Sequence, residues 1–152
     1  MNGEGLRFVI DASVIIKLLV DEPLSDRADR LFEQLAENFE SSFFVPDLLY
    51  IECANVLWKY TRRFGMTETE AKEKLEKIYS LAVVAIPIVE HLPKALEIAI
   101  KNEISVYDGC YIAVAEFVKA PLVTADDKLV AKMSVEKTPI LSLAEIDLPE
   151  ED

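Results

Sequence analysis

Leu6-Arg7-Phe8-Val9-Ile10-Asp11-Ala12-Ser13-Val14-Ile15-Ile16 is the stretch whose reading decides the fold. Leu6 to Ile10 is a short, almost continuous apolar run, the mark of a strand buried on both faces as in a parallel sheet. It feeds directly into Val14–Val20, an apolar segment read as a helix that stops before Pro23. Between strand and helix stands Asp11, an acid inside an apolar run. A carboxylate pushed toward a core is costly unless a cation or hydrogen-bond donors compensate it.

Outward from this unit the pattern keeps alternating. Leu24–Phe39 is an amphipathic helix, with Ala28, Leu31, Leu35 and Phe39 close to helical spacing. Phe43-Phe44-Val45 makes a second strand, and Asp47–Arg63 a helix that ends near Gly65. Thr67-Glu68-Thr69-Glu70 is a capping-box sequence opening a helix that reaches about Leu81. Val83–Ile88 reads as a strand, where Pro87 suits an edge or a strand end. Helices over Pro93–Asn102 and Tyr107–Phe117 precede a strand at Leu122–Thr124, a short helix at Asp127–Lys132 and a last strand at Pro139–Leu141. Strands alternating with helices call for an α/β fold, a mainly parallel sheet wrapped by helices on both faces. The chain reads as one domain over residues 1–152, with a frayed tail at about 147–152.

Composition narrows the function classes. No apolar stretch reaches the roughly 18 residues of a membrane span. Met1-Asn2-Gly3-Glu4-Gly5 lacks the basic-then-apolar order of a signal peptide, so a soluble cytoplasmic protein is expected. Cys53 and Cys110 lie in apolar segments and read as reduced core residues. The single histidine, His91, stands at a helix start in a surface or capping role. A zinc site is excluded by these counts, and a Ser-His-Asp site has little support. A formal charge of −12 argues against a sequence-independent DNA-coating protein. It does not exclude a nuclease, because bound cations would reverse the sign locally.

Three more acids share the setting of Asp11. Glu52 stands in Leu48–Trp58, Asp108 in Val106–Val114, and Asp126 closes Leu122-Val123-Thr124-Ala125. Each has a modest explanation alone: Asp11 and Asp126 as helix caps, Asp108 as a first-turn acid favoured by the helix dipole. Together, four such acids from distant segments point to one shared divalent cation. Ligands in parallel sheets gather at the carboxyl ends of strands, where Asp11 and Asp126 fall. Oxygen ligands favour Mg²⁺ or Mn²⁺, able to activate water and stabilise a departing oxygen. Ser13 and Thr124, each two residues from a site acid, would orient ligands or water, or else serve their own turns. Lys59 and Arg63 continue the helical stripe of Glu52, with Arg62 offset from it. These three cations read either as a grip on a phosphodiester backbone or as a solvated helix end.

At these residues the chain resembles the PIN-domain family, and especially its VapC-type toxin ribonucleases. The matching pieces are Val9-Ile10-Asp11-Ala12-Ser13, Pro46-Asp47-Leu48-Leu49-Tyr50-Ile51-Glu52, Tyr107-Asp108 and Leu122-Val123-Thr124-Ala125-Asp126, in order along nearly the whole chain. The resemblance implies a three-layer α/β/α sandwich and Mg²⁺- or Mn²⁺-dependent endoribonuclease activity, with Asp11, Glu52, Asp108 and Asp126 as the metal-binding quartet. It also implies a homodimer, RNA as substrate and inhibition by a VapB-type antitoxin. Two other readings stay within this scaffold: an RNA-processing nuclease outside toxin–antitoxin systems, and a non-catalytic protein-binding module. An aspartyl phosphatase would want a second Asp where Ser13 stands. A receiver domain would want an Asp where Val89-Glu90 follows the middle strand.

Overall fold

The computed structural model describes residues 5–133 and 138–149. Strand β1 (Arg7–Ile10) forms as expected, and Val9 and Ile10 are wholly buried. The helix expected over Val14–Val20 starts earlier and divides: helix α1 (Ala12–Ile15) passes at once into a 3₁₀ turn, Ile16–Leu18. Successive β-branched residues, Val14, Ile15 and Ile16, crowd the preceding turn and disfavour a long helix. Helix α2 (Ser25–Glu37) ends before Phe39, which is 93% exposed rather than part of the apolar stripe.

The remaining elements follow the predicted order. They are β2 (Ser42–Pro46), α3 (Leu49–Arg63), α4 (Glu68–Tyr79), β3 (Val84–Ile86), α5 (Leu92–Asn102), α6 (Val106–Val118), β4 (Leu122–Thr124), α7 (Asp127–Lys132) and β5 (Ile140–Ser142). The capping box of α4 is complete: Glu70 N–H donates to Thr67 Oγ1 at 3.1 Å and Thr67 N–H to Glu70 Oε2 at 3.0 Å. Gly65 takes φ +70° just beyond α3, the left-handed stop that glycine adopts at least cost. Pro87 falls after β3, itself an edge strand, where a missing N–H removes nothing from the ladder.

All strand pairs are parallel, in the order β3-β2-β1-β4-β5. The chain moves outward from β1 to β3, then crosses back to place β4 on the other side of β1. With right-handed crossovers, that reversal puts helices on both faces, giving a three-layer α/β/α sandwich. Helix α6 packs against β1, β2 and β4 and is paired closely with α5. A β-carbon at Gly109 would lie 2.4 Å from the Ala95 carbonyl oxygen, so α5 and α6 approach too closely there for any side chain. Val9, Ile10, Leu122 and Val123 are fully buried at the sheet centre. Each contributes roughly 1.5–3 kcal/mol by leaving water.

The switch between β1 and β4 opens a crevice at the carboxyl edge, the usual ligand position in such sheets. Asp11 N–H donates to the Val123 carbonyl at 3.0 Å, which fixes where the chain leaves the sheet. The last described residues are tied back to α2 and the core. Arg27 donates to the carbonyls of Leu143 and Ile146, Arg30 donates to that of Pro149 at 3.0 Å, and Leu148 packs on the core. Residues 150–152 lie outside the described residues. None of the described helices is long and apolar enough to cross a membrane.

Candidate functional site

Asp11 occupies the first position after β1 and is only 7% exposed. It is the N-cap residue of α1 by position, yet its side chain makes no capping bond. Two hydroxyls hold it instead: Ser13 Oγ donates to Asp11 Oδ2 at 2.6 Å and Thr124 Oγ1 donates to the same oxygen at 2.9 Å. Each hydroxyl has a single proton, so the 3.3 Å approach of Ser13 to Thr124 is packing once both protons are given to Asp11. Both hydroxyl oxygens in turn accept backbone donors, Ala125 N–H at 3.0 Å and Asp126 N–H at 3.1 Å. The expected orienting residues thus tie the ends of β1 and β4 to one carboxylate.

The other acids arrive from three elements. Glu52 sits in the first turn of α3, and Asp108 in the first turn of α6, where Ser105 caps the helix by accepting Asp108 N–H at 3.1 Å. Asp126 is the N-cap of α7, its Oδ1 accepting from Lys128 N–H at 3.0 Å and Leu129 N–H at 3.3 Å. The capping explanation is therefore correct for Asp126 and does not remove it from the site. All four acids line one cavity of about 580 Å³, together with Ser13 and Lys59. Their burial is unequal: Asp11 is buried, Glu52 and Asp108 are half-buried, and Asp126 is exposed. The expectation of four desolvated acids holds for three of them.

The electrostatics show what the cavity lacks. Burial raises the Asp11 pKa, against the lowering effect of its two hydroxyl bonds. Burial pushes Glu52 up to about 7, with Asp11 and Asp108 adding repulsion. Burial also pushes Asp108 up to about 6, helped by the charges of Asp11 and Asp126. Glu52 Oε1 is buried with no hydrogen-bond partner, and so is the Tyr111 hydroxyl, which favours the Glu52 carboxylate without reaching bonding geometry. An orphaned acceptor among mutually repelling carboxylates suits a cation. Among the described residues no three acid, His or Cys side chains form a ready-made metal cage.

Of the basic residues, only Lys59 lines the cavity. Arg62 lies over the Trp58 ring, 5.1 Å from its centre, and Arg63 is an exposed residue of the last turn of α3. Within the cavity the stripe is thus one residue, because Arg63 stands eleven residues beyond Glu52, about 16 Å along the helix axis. His91 makes no capping bond and instead places its ring 4.6 Å from that of Phe117. Cys53 and Cys110 are buried and free. Tyr111, Ile51, Asn55 and Tyr107 are site residues missed in the sequence reading. Their signal was helical spacing: Asn55 and Tyr111 each lie three positions beyond a site acid, Ile51 and Tyr107 one before.

Comparison with known proteins agrees with this geometry. A PIN domain family profile matches residues 8–134. Ribonuclease VapC3 of Pyrobaculum aerophilum is 35% identical over 136 residues, covering 88% of this chain and 100% of the relative. Ribonuclease VapC9 of Mycobacterium tuberculosis is 31% identical over 121 residues, covering 80% of this chain and 87% of the relative. The crystal structure of PAE2754 from Pyrobaculum aerophilum superposes with a TM-score of 0.67 at 25% identity, covering 95% of this chain and 89% of that one. VapBC2 from Rickettsia felis, bound to a promoter DNA fragment, gives a TM-score of 0.68 at 15% identity over 90% of this chain and 98% of that one, a likeness of fold. A crossover sheet with four acids at its carboxyl edge, and a profile spanning most of the sequence, place this chain in the PIN domain family.

Proposed function

We propose that this protein is a metal-dependent endoribonuclease, the toxin of a VapBC-type pair, acting in the cytoplasm. The observation that carries the reading is the cavity lined by Asp11, Glu52, Asp108 and Asp126, whose acids repel one another, with Lys59 the one cation among the described lining residues. The names of its relatives, ribonucleases of the VapC type, support RNA as the substrate. Buried free thiols at Cys53 and Cys110 suit a reducing compartment.

These four residues are the ligands we assign to Mg²⁺ or Mn²⁺. A bound ion of this kind lowers the pKa of water and neutralises charge developing on the scissile phosphate. Ser13 and Thr124 fix Asp11 in orientation, so that the deepest ligand is preset before the ion arrives. Asp108 and Asp126 are set by helix starts, and Glu52 completes the ring from α3 with an oxygen that the chain leaves unpaired. Lys59 grips a backbone phosphate as substrate enters.

Partner surfaces accompany the site. Leu92, Leu96 and Ile100 on α5 and Phe117 on α6 are exposed, an apolar face suited to a second copy in a homodimer. An apolar groove of about 270 Å³ between α3 and α4, lined by Leu57, Trp58, Ala71 and Leu75, suits a segment of a VapB-type antitoxin. Solved structures of similar fold are VapBC assemblies, some bound to DNA. Purified protein should cut single-stranded RNA with Mn²⁺ or Mg²⁺ and lose that activity in Asp11→Asn. Equal cutting by both chains overturns the site assignment, and no cutting by either favours a non-catalytic binding module.

A further inference from the structure

Two residues on the lip of the carboxylate cavity have no part in holding an ion. Tyr107 is 65% exposed, Ile51 is 75% exposed, and both line the cavity. Each stands one position before a site acid, Tyr107 before Asp108 on α6 and Ile51 before Glu52 on α3. One residue turns a helix by about 100°, so each apolar side chain stands beside its acid, rotated toward the rim. A lone exposed apolar side chain is ordinary; two flanking the acids of one cavity from different helices need a reason. Asn55, also exposed and also lining the cavity, lies three positions along α3 from Glu52. Among the described residues, neither the Tyr107 ring nor the Asn55 amide has a side-chain hydrogen bond or ring partner.

A phosphodiester cannot reach the acids without bringing its ribose and base to the rim. A nucleobase has an apolar face and a polar edge, and an unpaired base presents both. The lip offers the complement: an aromatic ring, an aliphatic neighbour and an amide able to donate and accept, with Lys59 in the same cavity for phosphate. We infer that Tyr107 is the stacking platform for the nucleobase flanking the scissile phosphate. Ile51 extends the apolar surface and Asn55 faces the base edge. The inference rests on the ribonuclease reading above and deepens it, because it names an unpaired nucleotide as the substrate element held at the site. Stacking tolerates any base, so specificity at this position falls to the Asn55 amide.

The test measures KM and kcat on a short single-stranded RNA for wild type, Tyr107→Ala, Tyr107→Phe and Tyr107→Trp, alongside solution mass. The RNA carries a fluorescent purine analogue whose emission falls on stacking. Tyr107→Ala should raise KM about 10-fold, the scale of one lost base stack, with a far smaller change in kcat. Phe and Trp should restore KM, and quenching of the analogue should disappear only in the Ala variant. A wild type that cuts, loses activity in Asp11→Asn and yet shares its KM with Tyr107→Ala overturns the platform and leaves the nuclease standing. A KM rise that vanishes at protein concentrations restoring a lost dimer also overturns it, assigning Tyr107 to the interface between copies. No cutting by wild type with either metal sinks the nuclease reading and the platform with it.

Discussion

Two glutamates of similar setting are treated in opposite ways. Glu22, in the loop before α2, is partly buried and fully partnered: Lys17 Nζ lies 3.0 Å from Oε1, and the Tyr60 hydroxyl donates to Oε2 at 2.9 Å. Glu52, half-buried on α3, has Tyr111 nearby but no hydrogen bond on Oε1, and its charged neighbours are all acids. This chain can supply a lysine and a hydroxyl to an acid that needs them. At the cavity no lysine pairs with Glu52, and the Tyr111 hydroxyl stands near it without completing a hydrogen bond. The contrast separates an acid used to join elements from one left with a buried, unpaired oxygen, the state the proposed metal site requires.

The comparison breaks most visibly at the acids themselves. Asp11→Asn should cut metal-dependent RNA cleavage by about 100-fold or more, beyond the 10–100-fold typical of residues that only support a ligand. Circular dichroism should report an unchanged fold. At Glu22 the cost should be structural instead. Lys17→Ala should lower unfolding free energy by about 1–2 kcal/mol in denaturant titration, less than for a fully buried pair because Glu22 retains some solvent. Cleavage per folded molecule should not change.

Smaller effects sharpen the same contrast. Lys59→Ala should weaken RNA binding by about 3–5-fold at moderate salt, whereas Arg62→Ala, away from the cavity, should do less and with little change in salt slope. Glu52→Gln should raise the metal-free melting temperature slightly or leave it unchanged, by relieving repulsion. The pH dependence has the same sign. Glu52 and Asp108 titrate near 7 and 6 in the folded chain, against ordinary values of 4.5 and 3.8. Between those limits the folded state binds more protons than the unfolded one, so stability falls as pH rises. Metal-free protein should therefore melt lower at neutral pH than at mildly acidic pH, and saturating Mn²⁺ should flatten the difference. A metal-free melting temperature that climbs steadily across this window would count against a cluster of repelling acids.

Much of the fold could be read from local chemistry. The apolar run into Asp11, the Thr67–Glu70 capping box and Gly65 all became the elements they announced, because each depends on neighbours in sequence. The division of α1 was hidden by an apolar pattern that suits a helix or a 3₁₀ turn equally. Sheet order was not legible, since β4 joins β1 across more than a hundred residues of chain. At the site, the gathering of four acids was expected, but their unequal burial was not. Asp126 ends an apolar strand and still emerges into solvent, because it begins a new helix at the sheet edge. The Arg63 stripe misled through the same idealisation, a straight face extended past the reach of the cavity.

The two hydroxyls on Asp11 have one more consequence. Ser13 and Thr124 both donate to Oδ2, so the lone pairs of that oxygen are already taken, and only Oδ1 is left without a hydroxyl donor. A carboxylate in this state is a one-toothed ligand. On the proposed metal assignment it would offer one oxygen to an ion, and offering both would require releasing the Ser13 or Thr124 hydroxyl. On that assignment a small, octahedral ion would be suited by such a ligand, whereas a larger ion favouring two-oxygen carboxylate coordination would have to loosen the tie between the ends of β1 and β4.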